Sequence, residues 1–302
     1  MMNDEHAAAA ERLRAVLPAL GIDLLEPLGE GDFCLGFAAD GDRVVRVARH
    51  EVAARALQRE ACVMERIAGA LPLAVPRPRF HHLPDAPPFS VHARVPGVEL
   101  TDERWLALPD PLQAEAARDV AGFLAALHDL PLDAAVACGI QTTDHAAEAR
   151  ALIERFRADL MSHLPADAAA RVEGAYASYL AGGERWAYRP AVLHGDFGPD
   201  HVMHDAETGR VTGVIDFGDL MIGDPARDFI YVHEDYGPEI LARILPLYGR
   251  ESAGAMLPRV RFHHLHSMIE WALRMRVEGS RDDLTEALEE IARESEYWVG
   301  GG

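Results

Sequence analysis

The chain has 302 residues, and 49 acidic side chains against 29 basic ones give it a formal net charge of −20. All 29 basic residues are arginines, because lysine does not occur in the sequence. The absence of lysine excludes a lysine Schiff base and a phosphate-binding loop with its usual lysine. Such an acidic chain is a poor match for nucleic acid and a better match for a cationic small molecule.

Length and cysteine content predict the cellular setting. A length of 302 residues corresponds to about two domains of roughly 150 residues each. The cysteines Cys34, Cys62 and Cys138 lack metal-ligand spacing, so we expect reduced thiols in a cytoplasmic protein. Residues 1–14 lack the apolar core of a signal peptide, and no apolar run approaches the ~20 residues of a membrane span. We therefore expect no membrane or nucleic-acid partner, and a monomer or weak dimer.

The first third of the chain combines strand and helix patterns. A period near 3.6 residues predicts helices over His6–Leu20 and Val52–Leu71, and alternating apolar residues predict short strands. The predicted strands cover 24–28, 34–39, 43–48 and 89–95, with an extended, proline-rich stretch over 72–88. The glycines of Gly29-Glu30-Gly31 follow the first strand.

Beyond Pro96-Gly97 the pattern becomes mostly helical. The predicted helices cover 111–130, 146–164, 168–180 and most of 238–299, and short strands with a loop are predicted over 191–214. This order predicts an α+β protein, with a β-rich part over 1–96 and a helix-rich part over 97–302. The last three glycines, 300–302, predict a flexible end.

Two carboxylates, Asp196 and Asp216, each follow a short apolar piece that should bury as a strand. Phosphoryl transfer needs one carboxylate to orient and deprotonate the acceptor hydroxyl, and others to hold Mg²⁺ against the nucleotide phosphates. Kinases supply both with a loop H-x-D-x-x-x-x-N followed by D-F-G. The chain has His194-Gly195-Asp196 and then Asp216-Phe217-Gly218, with His201 in place of the asparagine.

On these motifs the chain resembles the aminoglycoside phosphotransferase family, antibiotic kinases with a protein-kinase-like fold. It looks most similar to the aminoglycoside 2''-phosphotransferases, because the run Asp228-Phe229-Ile230-Tyr231 with Glu234-Asp235 follows the first two motifs. Macrolide kinases and other branches share only those first two. The resemblance extends from Gly29 past Tyr248 and implies a bilobal fold, with a nucleotide lobe over 1–96 and a catalytic lobe with a helical substrate subdomain over 97–302.

The resemblance implies roles for individual residues. Asp196 matches the catalytic base, Asp216 matches the carboxylate that binds Mg²⁺, and His201 matches a metal-contacting Asn or His. Glu60 matches the acid that pairs with the phosphate-binding cation, although it could also be a solvated helix acid. His194 matches a position that braces the catalytic loop.

The phosphate-binding cation departs from the family pattern. Kinases place a lysine on the third strand, where this chain has Arg43-Val44-Val45-Arg46. Alternation puts Val44 and Arg46 on one strand face, so Val44 would contact the base and Arg46 the phosphates. Arginine can do this electrostatically, but from a different reach and angle than lysine. Arg49, on the opposite face, is the competing candidate.

The remaining donor contacts follow from the same resemblance. Gly29 and Gly31 would bend over the phosphates through backbone N–H groups, and Glu30 between them should point to solvent. The segment Val91–Gly97, with Val95 in it, is where the hinge would hold the purine. The choice between ATP and GTP stays open.

Asp219, Glu234 and Asp235 are candidates for binding the amines of a cationic substrate. Carboxylates accept charge-assisted hydrogen bonds from such groups. A solvated acidic face is the alternative, because the chain has 49 acids. Trp271 is expected either to pack under a bound sugar or to fill the core.

A metal-dependent hydrolase is a different interpretation of the same motifs. His194, Asp196, His201 and Asp216 would then form a mixed nitrogen and oxygen site. That interpretation leaves the glycine loop and the third-strand arginine without a role.

Two further runs are expected to be structural. Asp224 and Asp228 favour a turn and a helix cap. His263, His264 and His266 have no evident third metal ligand in the sequence, so we expect them to pack or to face solvent.

The sequence as a whole therefore predicts a kinase that transfers the γ-phosphoryl group of ATP or GTP, with Mg²⁺, to a hydroxyl of an aminoglycoside antibiotic. A kinase of a macrolide or of a small metabolite is one alternative. A non-catalytic nucleotide-binding module is the other, and the presence of Asp196, His201 and Asp216 argues against it.

Overall fold

The computed structural model describes residues 4–84 and 86–298 of the chain. The first part contains two helices, α1 (Asp4–Leu13) and α2 (Glu51–Ile67), and five strands. These strands are β1 (Leu25–Glu30), β2 (Cys34–Ala39), β3 (Arg43–Ala48), β4 (Arg79–His81) and β5 (Phe89–Ala93). They form one antiparallel sheet in the order β1-β2-β3-β5-β4.

Alternating apolar residues build this sheet and give it a buried face. Leu35 and Phe37 of β2 are buried beneath α1, together with Val45 and Val47 of β3. The turn between β2 and β3 places Asp40 at a positive φ of 52°, where a short polar side chain is tolerated. Strand β3 is the central strand of the sheet, with β2 on one side and β5 on the other.

The rest of the chain is mainly helical. Its helices are α3 (Asp102–Ala107), α4 (Asp110–His128), α5 (Leu132–Val136), α6 (His145–Asp159), α7 (Ala166–Ala181), α8 (Ile230–Glu234), α9 (Gly237–Tyr248), α10 (Ala253–Glu278) and α11 (Arg281–Ser295). Its short strands are β6 (Val98–Glu99), β7 (Ala191–Leu193), β8 (Val202–His204), β9 (Val211–Val214) and β10 (Met221–Gly223). Strand β7 pairs with β10, and β8 lies between β6 and β9.

The core of this part anchors both loops that carry the motif aspartates. Phe197 and Phe217 are fully buried, and each follows its aspartate by one residue. Phe123 of α4 stacks on Phe197 with ring centroids 6.1 Å apart and meets Phe217 edge-on at 6.5 Å. Burying two aromatic rings on one helix fixes the two loops relative to each other.

The N-terminal helix is shorter than the sequence pattern predicts. The pattern predicts one helix over His6–Leu20, whereas α1 ends at Leu13 and a separate 3₁₀ turn covers Leu17–Leu20. Pro18 lies at the start of that turn, and proline cannot continue a preceding helix because it lacks an N–H donor. The predicted flexible end at 300–302 lies outside the described residues.

The prediction of three reduced thiols is wrong for two of them. Cys62 of α2 and Cys138, just after α5, form a disulfide with their Cα atoms 5.6 Å apart, and Cys34 is a free cysteine. The two bonded cysteines are 76 residues apart in sequence, so only the packing of α2 against α5 brings them together. The bond ties α2 to the second part of the chain.

Membrane insertion was not expected from the sequence. Within 4–84 and 86–298, none of the helices combines the length and the apolar composition that crossing a bilayer requires.

Candidate active site

The loop after β7 is held by a buried carboxylate. Asp228 is 1% exposed, and its oxygens accept hydrogen bonds from the backbone N–H groups of His194 and Gly195, at 2.8 Å each. Gly195 has φ +88°, and a Cβ there would collide with the carbonyl oxygen of Asp219. The loop therefore needs glycine at this position, and its backbone is fixed from beneath.

Asp228 has the structural role expected from the sequence, but in a form that the sequence did not predict. The predicted helix cap is absent, because the carboxylate bonds to the loop backbone and to Nε2 of His128 at 2.9 Å. The sequence did contain a signal for a special role of Asp228, because this residue begins the run Asp228-Phe229-Ile230-Tyr231 on which the family resemblance partly rests. Asp224 forms the predicted turn by accepting from the N–H of Ala226 at 3.0 Å.

His201 presents one ring nitrogen to the carboxylates of the site. Its Nδ1 lies 2.7 Å from the carbonyl oxygen of Asp196 and donates to it, because that oxygen can only accept. In the neutral ring Nε2 then carries the lone pair, 3.5 Å from Asp200 Oδ2 and 4.0 Å from Asp216 Oδ2. This geometry suits a metal contact through Nε2.

Asp196 and Asp216 are brought to the same site, with His201 between them. Oδ2 of Asp196 is 3.7 Å from His201 Nδ1. Asp216 has φ +59°, which is unusual for a residue with a side chain, and its Oδ1 accepts from the N–H of Gly218 at 3.3 Å. The left-handed backbone and this hydrogen bond together aim the Asp216 carboxylate toward the sheet.

Arg46 and Glu60 form the predicted ion pair across the sheet and α2. Nη1 of Arg46 lies 2.9 and 3.1 Å from the two carboxylate oxygens of Glu60, which is only 2% exposed. Nη2 of the same guanidinium donates to Asp216 Oδ1 at 2.9 Å. One arginine therefore links α2 to the loop that follows β9.

Arg49 is excluded as the partner of Glu60. Its guanidinium donates to Glu5 and, at 2.8 Å, to the carbonyl oxygen of Gly31. It thus holds the glycine loop from the face opposite to Arg46. Glu30 of that loop is half-exposed, as expected, with His6 at 3.8 Å.

The glycine loop connects β1 to β2, and the predicted hinge begins in β5 and continues beyond it. Gly29 opposes Gly36 in the β1–β2 pairing, and the N–H of Gly31 donates to the backbone carbonyl oxygen of Cys34 at 3.0 Å. Val44 is buried in β3 next to β5, two residues from Arg46 on the same strand face. Val95 is buried just beyond β5, where it packs against Gly213.

Burial and neighbouring charges shift the pKa values of the site carboxylates in opposite directions. Burial, supported by Asp216 and Asp219 and opposed by Arg46, raises the pKa of Glu60 to about 7. Burial also raises the pKa of Asp196, although His201 acts against the rise. Burial alone would raise the pKa of Asp216, but the charges of Arg46 and His201 lower it. Asp216 is therefore the carboxylate held most firmly in its charged form.

An open cavity of about 270 Å³ lies between the end of α8 and the helices α10 and α11. Glu234 and Trp271 line it, and Trp271 is 50% exposed, so this tryptophan does not fill the core. The other lining residues are Ser267, Met268, Ala287 and Glu290. A tryptophan and two carboxylates in one cavity wall form a surface suited to a cationic, partly apolar ring.

Asp219 and Asp235 do not line this cavity. Asp219 lies against Gly195 of the catalytic loop, and burial followed by the charge of Asp216 raises its pKa. For Asp235, burial, Glu234 and Asp200 raise the pKa to about 6. The four predicted acceptor residues are thus spread from the cavity to the catalytic loop.

The geometry argues against the hydrolase interpretation. His194 is fully buried, its Nε2 lies 2.9 Å from the carbonyl oxygen of Ile215, and its Nδ1 accepts from the N–H of Asp196. Both ring nitrogens are occupied, so His194 braces the loop and is not available as a metal ligand.

Two of the three clustered histidines on α10 have structural partners. His263 contacts Asp224 at 3.1 Å, and His266 contacts the Tyr176 hydroxyl at 3.1 Å. The packing role predicted from the sequence is confirmed for both. His264 has a different environment.

Both the sequence and the fold match known phosphotransferases. Residues 34–263, well over half of the chain, match the model of the Phosphotransferase enzyme family. The viomycin phosphotransferase of Streptomyces vinaceus is 30% identical over 283 residues, which cover 88% of this chain and 96% of that protein.

Solved structures of low sequence identity share the fold. An aminoglycoside 2''-phosphotransferase solved with GDP and kanamycin is 23% identical, has a TM-score of 0.85, and the match covers 95% of this chain and 98% of that one. A macrolide 2'-phosphotransferase type I is 22% identical with a TM-score of 0.71, and the match covers 96% and 97%. The predicted α+β, protein-kinase-like fold is confirmed.

Proposed function

Because the chain belongs to the phosphotransferase enzyme family, we propose that it transfers the γ-phosphoryl group of ATP or GTP to a hydroxyl of an aminoglycoside or another polycationic antibiotic. The observation that carries the proposal is that β3, the loop after β7 and the loop after β9, which carries Asp216, meet at one site. Arg46, bonded to both Glu60 and Asp216, comes from the sheet, and Asp196 with His201 comes from the loop after β7.

Each group has a defined task in this reaction. Asp196 accepts the proton of the acceptor hydroxyl and orients its oxygen toward the γ-phosphorus. Arg46 lies over the phosphates, and Glu60 holds the guanidinium in place. Gly29 and Gly31 let the backbone of their loop approach the phosphates closely, although the N–H of Gly31 is already bonded to the carbonyl oxygen of Cys34. Val44 and Val95 border the purine. Catalysis then rests on positioning and on charge stabilisation.

The residues present fit a magnesium ion. Asp216 supplies a carboxylate whose pKa is lowered, and Nε2 of His201 lies 4.0 Å from it. Carboxylate oxygens are preferred ligands of this hard cation. Mg²⁺ held by Asp216 and His201 would neutralise phosphate charge, while Arg46 keeps Asp216 oriented.

The acceptor is proposed from the acidic surroundings of the catalytic loop. Glu234 and Trp271 line the cavity, and Asp235 and Asp219 continue the negative surface toward Asp196. Cationic acceptors fit such a surface, in keeping with the names of the viomycin and kanamycin-bound relatives. A macrolide is the second candidate, because a macrolide phosphotransferase shares the fold.

Several properties complete the proposal. Residues 1–96 would form the nucleotide lobe, and residues 97–302 the catalytic lobe with its helical substrate subdomain. The protein would act without nucleic acid, as a monomer or weak dimer, in the cytoplasm, where ATP and GTP are available, and its physiological role would be antibiotic resistance. A disulfide such as Cys62–Cys138 is uncommon in that compartment, so alkylation of thiols in fresh cell extract is a direct check of location.

The decisive experiment is a coupled nucleotide assay with Mg²⁺ and either ATP or GTP. The acceptors are kanamycin, viomycin, a macrolide and a neutral sugar. We expect turnover with a polycationic acceptor, and a loss of about 10²–10⁴-fold in kcat for Asp196→Ala, as for the removal of a general base. Nucleotide affinity of this variant should stay unchanged, which serves as the folding control.

The outcomes separate the candidates. Turnover only with the macrolide moves the assignment to that branch, and turnover only with the neutral sugar indicates a metabolite kinase. Nucleotide binding without turnover on any acceptor indicates a non-catalytic module. Full activity in Asp196→Ala contradicts the mechanism itself.

A further inference from the structure

Behind the acceptor cavity, three helices bring two histidines and one glutamate together. His233 lies on α8, His264 on α10 and Glu294 on α11, and one ligand atom from each lies within 4.8 Å of the others. His233 and His264 are 6% and 7% exposed. None of these three residues has a role in the phosphoryl transfer described above.

The distances in this cluster do not correspond to hydrogen bonds. Oε1 of Glu294 is 3.6 Å from Nε2 of His233 and 3.6 Å from Nδ1 of His264. Ligand atoms of a tetrahedral Zn²⁺, each about 2.0–2.2 Å from the ion, lie roughly 3.3–3.6 Å apart. The two separations from Glu294 lie at the upper end of that range, and the three ligand atoms lie within 4.8 Å of one another, so they can share one ion.

The cluster also concentrates unsatisfied polar atoms. Eight buried side-chain nitrogen or oxygen atoms among the described residues lack a hydrogen-bond partner, and three of the eight are Nδ1 of His233, Nδ1 of His264 and Oε1 of Glu294. Nδ1 of His233 is the ring nitrogen that does not face Glu294, whereas Nδ1 of His264 and Oε1 of Glu294 face each other at 3.6 Å. Buried polar groups are almost always satisfied, so this facing pair calls for an explanation. An ion would satisfy the atoms of His264 and Glu294 directly.

The surroundings of His264 match those of a metal ligand. Its second nitrogen, Nε2, faces Oε2 of Glu234 at 3.6 Å, on the side away from Glu294. Histidines that bind metals usually have a carboxylate or a carbonyl at the other ring nitrogen, which orients the ring. The rings of His233 and His264 stand nearly perpendicular, with centroids 4.9 Å apart, so both can direct a nitrogen at one point.

We propose that His233, His264 and Glu294 bind one divalent transition-metal ion, with Zn²⁺ as the best match. Two imidazoles and one carboxylate are a ligand set that Zn²⁺ accepts, and they leave a fourth position for water. The ion connects α8, α10 and α11, three helices that each contribute a residue to the wall of the cavity. It fixes the end of α8 from which Glu234 reaches that cavity.

A metal-free ion pair between the histidines and Glu294 is the competing explanation. Burial alone would raise the pKa of Glu294, but its contacts with His233 and His264 lower that pKa to about 2. The carboxylate is therefore charged in either case, and only metal binding distinguishes the two explanations.

The test uses the full chain without a histidine tag, stripped with a chelator and then given equimolar Zn²⁺. After desalting, the zinc content is measured by mass spectrometry, and Co²⁺ is bound in parallel to record its visible spectrum. The site variants are Glu294→Gln and His264→Gln. The matched controls are Glu289→Gln, on the exposed side of the same helix α11, and His163→Gln, an exposed histidine.

We expect the wild type and both controls to retain about one zinc per chain and to give the intense Co²⁺ bands of a four-coordinate site. In the two site variants, zinc affinity should fall by more than the roughly 10–100-fold that outer-shell changes cost. Circular dichroism of the metal-free proteins checks that the variants are folded. Equal zinc retention in all five proteins, or none in a folded wild type, overturns the proposal, and neither outcome bears on the kinase assay.

Discussion

The proposed nucleotide side and the proposed acceptor side of this protein differ in how their charges are paired. On the nucleotide side, Arg46 is shared between Glu60 and Asp216, so the charges are largely neutralised within the protein. On the acceptor side, Glu234 and Asp235 lie next to each other, and Asp235 has a raised pKa. The first arrangement is preorganised before any ligand arrives, whereas the second gains most when a cation binds.

Exposure shows the same contrast. The Glu60 side chain is 1% exposed and that of Arg46 is 17% exposed, whereas Glu234 is 45% exposed. Charge interactions are strong where water is excluded and weak where it is not. Substitutions on the nucleotide side should therefore affect both stability and catalysis, and substitutions on the acceptor side should mainly affect substrate binding.

The largest effect is expected for Arg46→Ala. It leaves Glu60 buried beside Asp216 without a counter-ion, which should lower the free energy of unfolding by up to about 3–5 kcal/mol. Loss of one electrostatic group should also lower kcat/KM for the nucleotide by about 10²–10³-fold. Arg46→Lys should retain part of the activity. Urea unfolding and nucleotide-dependent kinetics measure the two effects.

Arg49→Ala is the matched control. Arg49 follows β3, points to the face of the sheet opposite to Arg46, and binds the exposed Glu5. It should cost at most about 1 kcal/mol, as exposed ion pairs do. If Arg46→Ala behaved like Arg49→Ala, Arg46 would have no place in the nucleotide site.

The second largest effect is expected for loss of the disulfide between Cys62 and Cys138, which links α2 to the second part of the chain. Removing the Cys62–Cys138 disulfide by Cys62→Ser should lower the free energy of unfolding by about 2–4 kcal/mol. A reductant should lower the melting temperature of the wild type and of Cys34→Ser, and should leave Cys62→Ser unchanged. A wild-type melting temperature that does not respond to reductant would mean that the bond is not formed.

A smaller effect is expected for Glu234→Gln at the cavity. Loss of one charge-assisted hydrogen bond, worth about 1.5–3 kcal/mol, should raise KM for a cationic acceptor by roughly 10-fold or more. The unfolding free energy and KM for the nucleotide should change little. Glu289→Gln, exposed on α11, is the control. A loss of kcat with unchanged acceptor KM would place Glu234 outside the acceptor site.

The smallest effect is a pH dependence of acceptor binding. Because the pKa of Asp235 is about 6, this carboxylate is neutral below pH 6 and charged above it. KM for a cationic acceptor should therefore decrease by a few-fold, up to about 10-fold, as pH rises from 5 to 7. Asp235→Asn should flatten this profile. A profile identical in wild type and Asp235→Asn would assign the titration to another group.

The local elements were predictable because their signals are local. Alternating residues predicted β2 and β3 with their observed bounds, and the apolar stripe of α2 predicted that helix to within four residues at its end. Period-2 alternation also predicted that Arg46, in β3, and Arg49, directly after β3, point to opposite faces of the sheet, and their different partners, Glu60 and Glu5, agree with it.

Contacts between distant segments were not predictable in the same way. Asp228 was expected to cap a helix, and it instead holds the loop that carries Asp196. Cys62 and Cys138 gave no sign of being neighbours. His264 was expected to pack or to face solvent. Glu294, which lies beside it in the folded chain, is 30 residues further along the sequence, so nothing in the sequence indicated that the two are neighbours.

The sequence by itself determined the two motif aspartates, the arginine at the position where kinases have a lysine, and the order of a β-rich part before a helical one. These depend on residue type and on spacing over a few residues, which the linear chain displays. The tertiary structure decided that one guanidinium joins Glu60 to Asp216, that Asp228 fixes the catalytic loop, and that His233, His264 and Glu294 meet behind the cavity. Such contacts depend on how helices and sheets pack, and packing is a property of the folded chain as a whole.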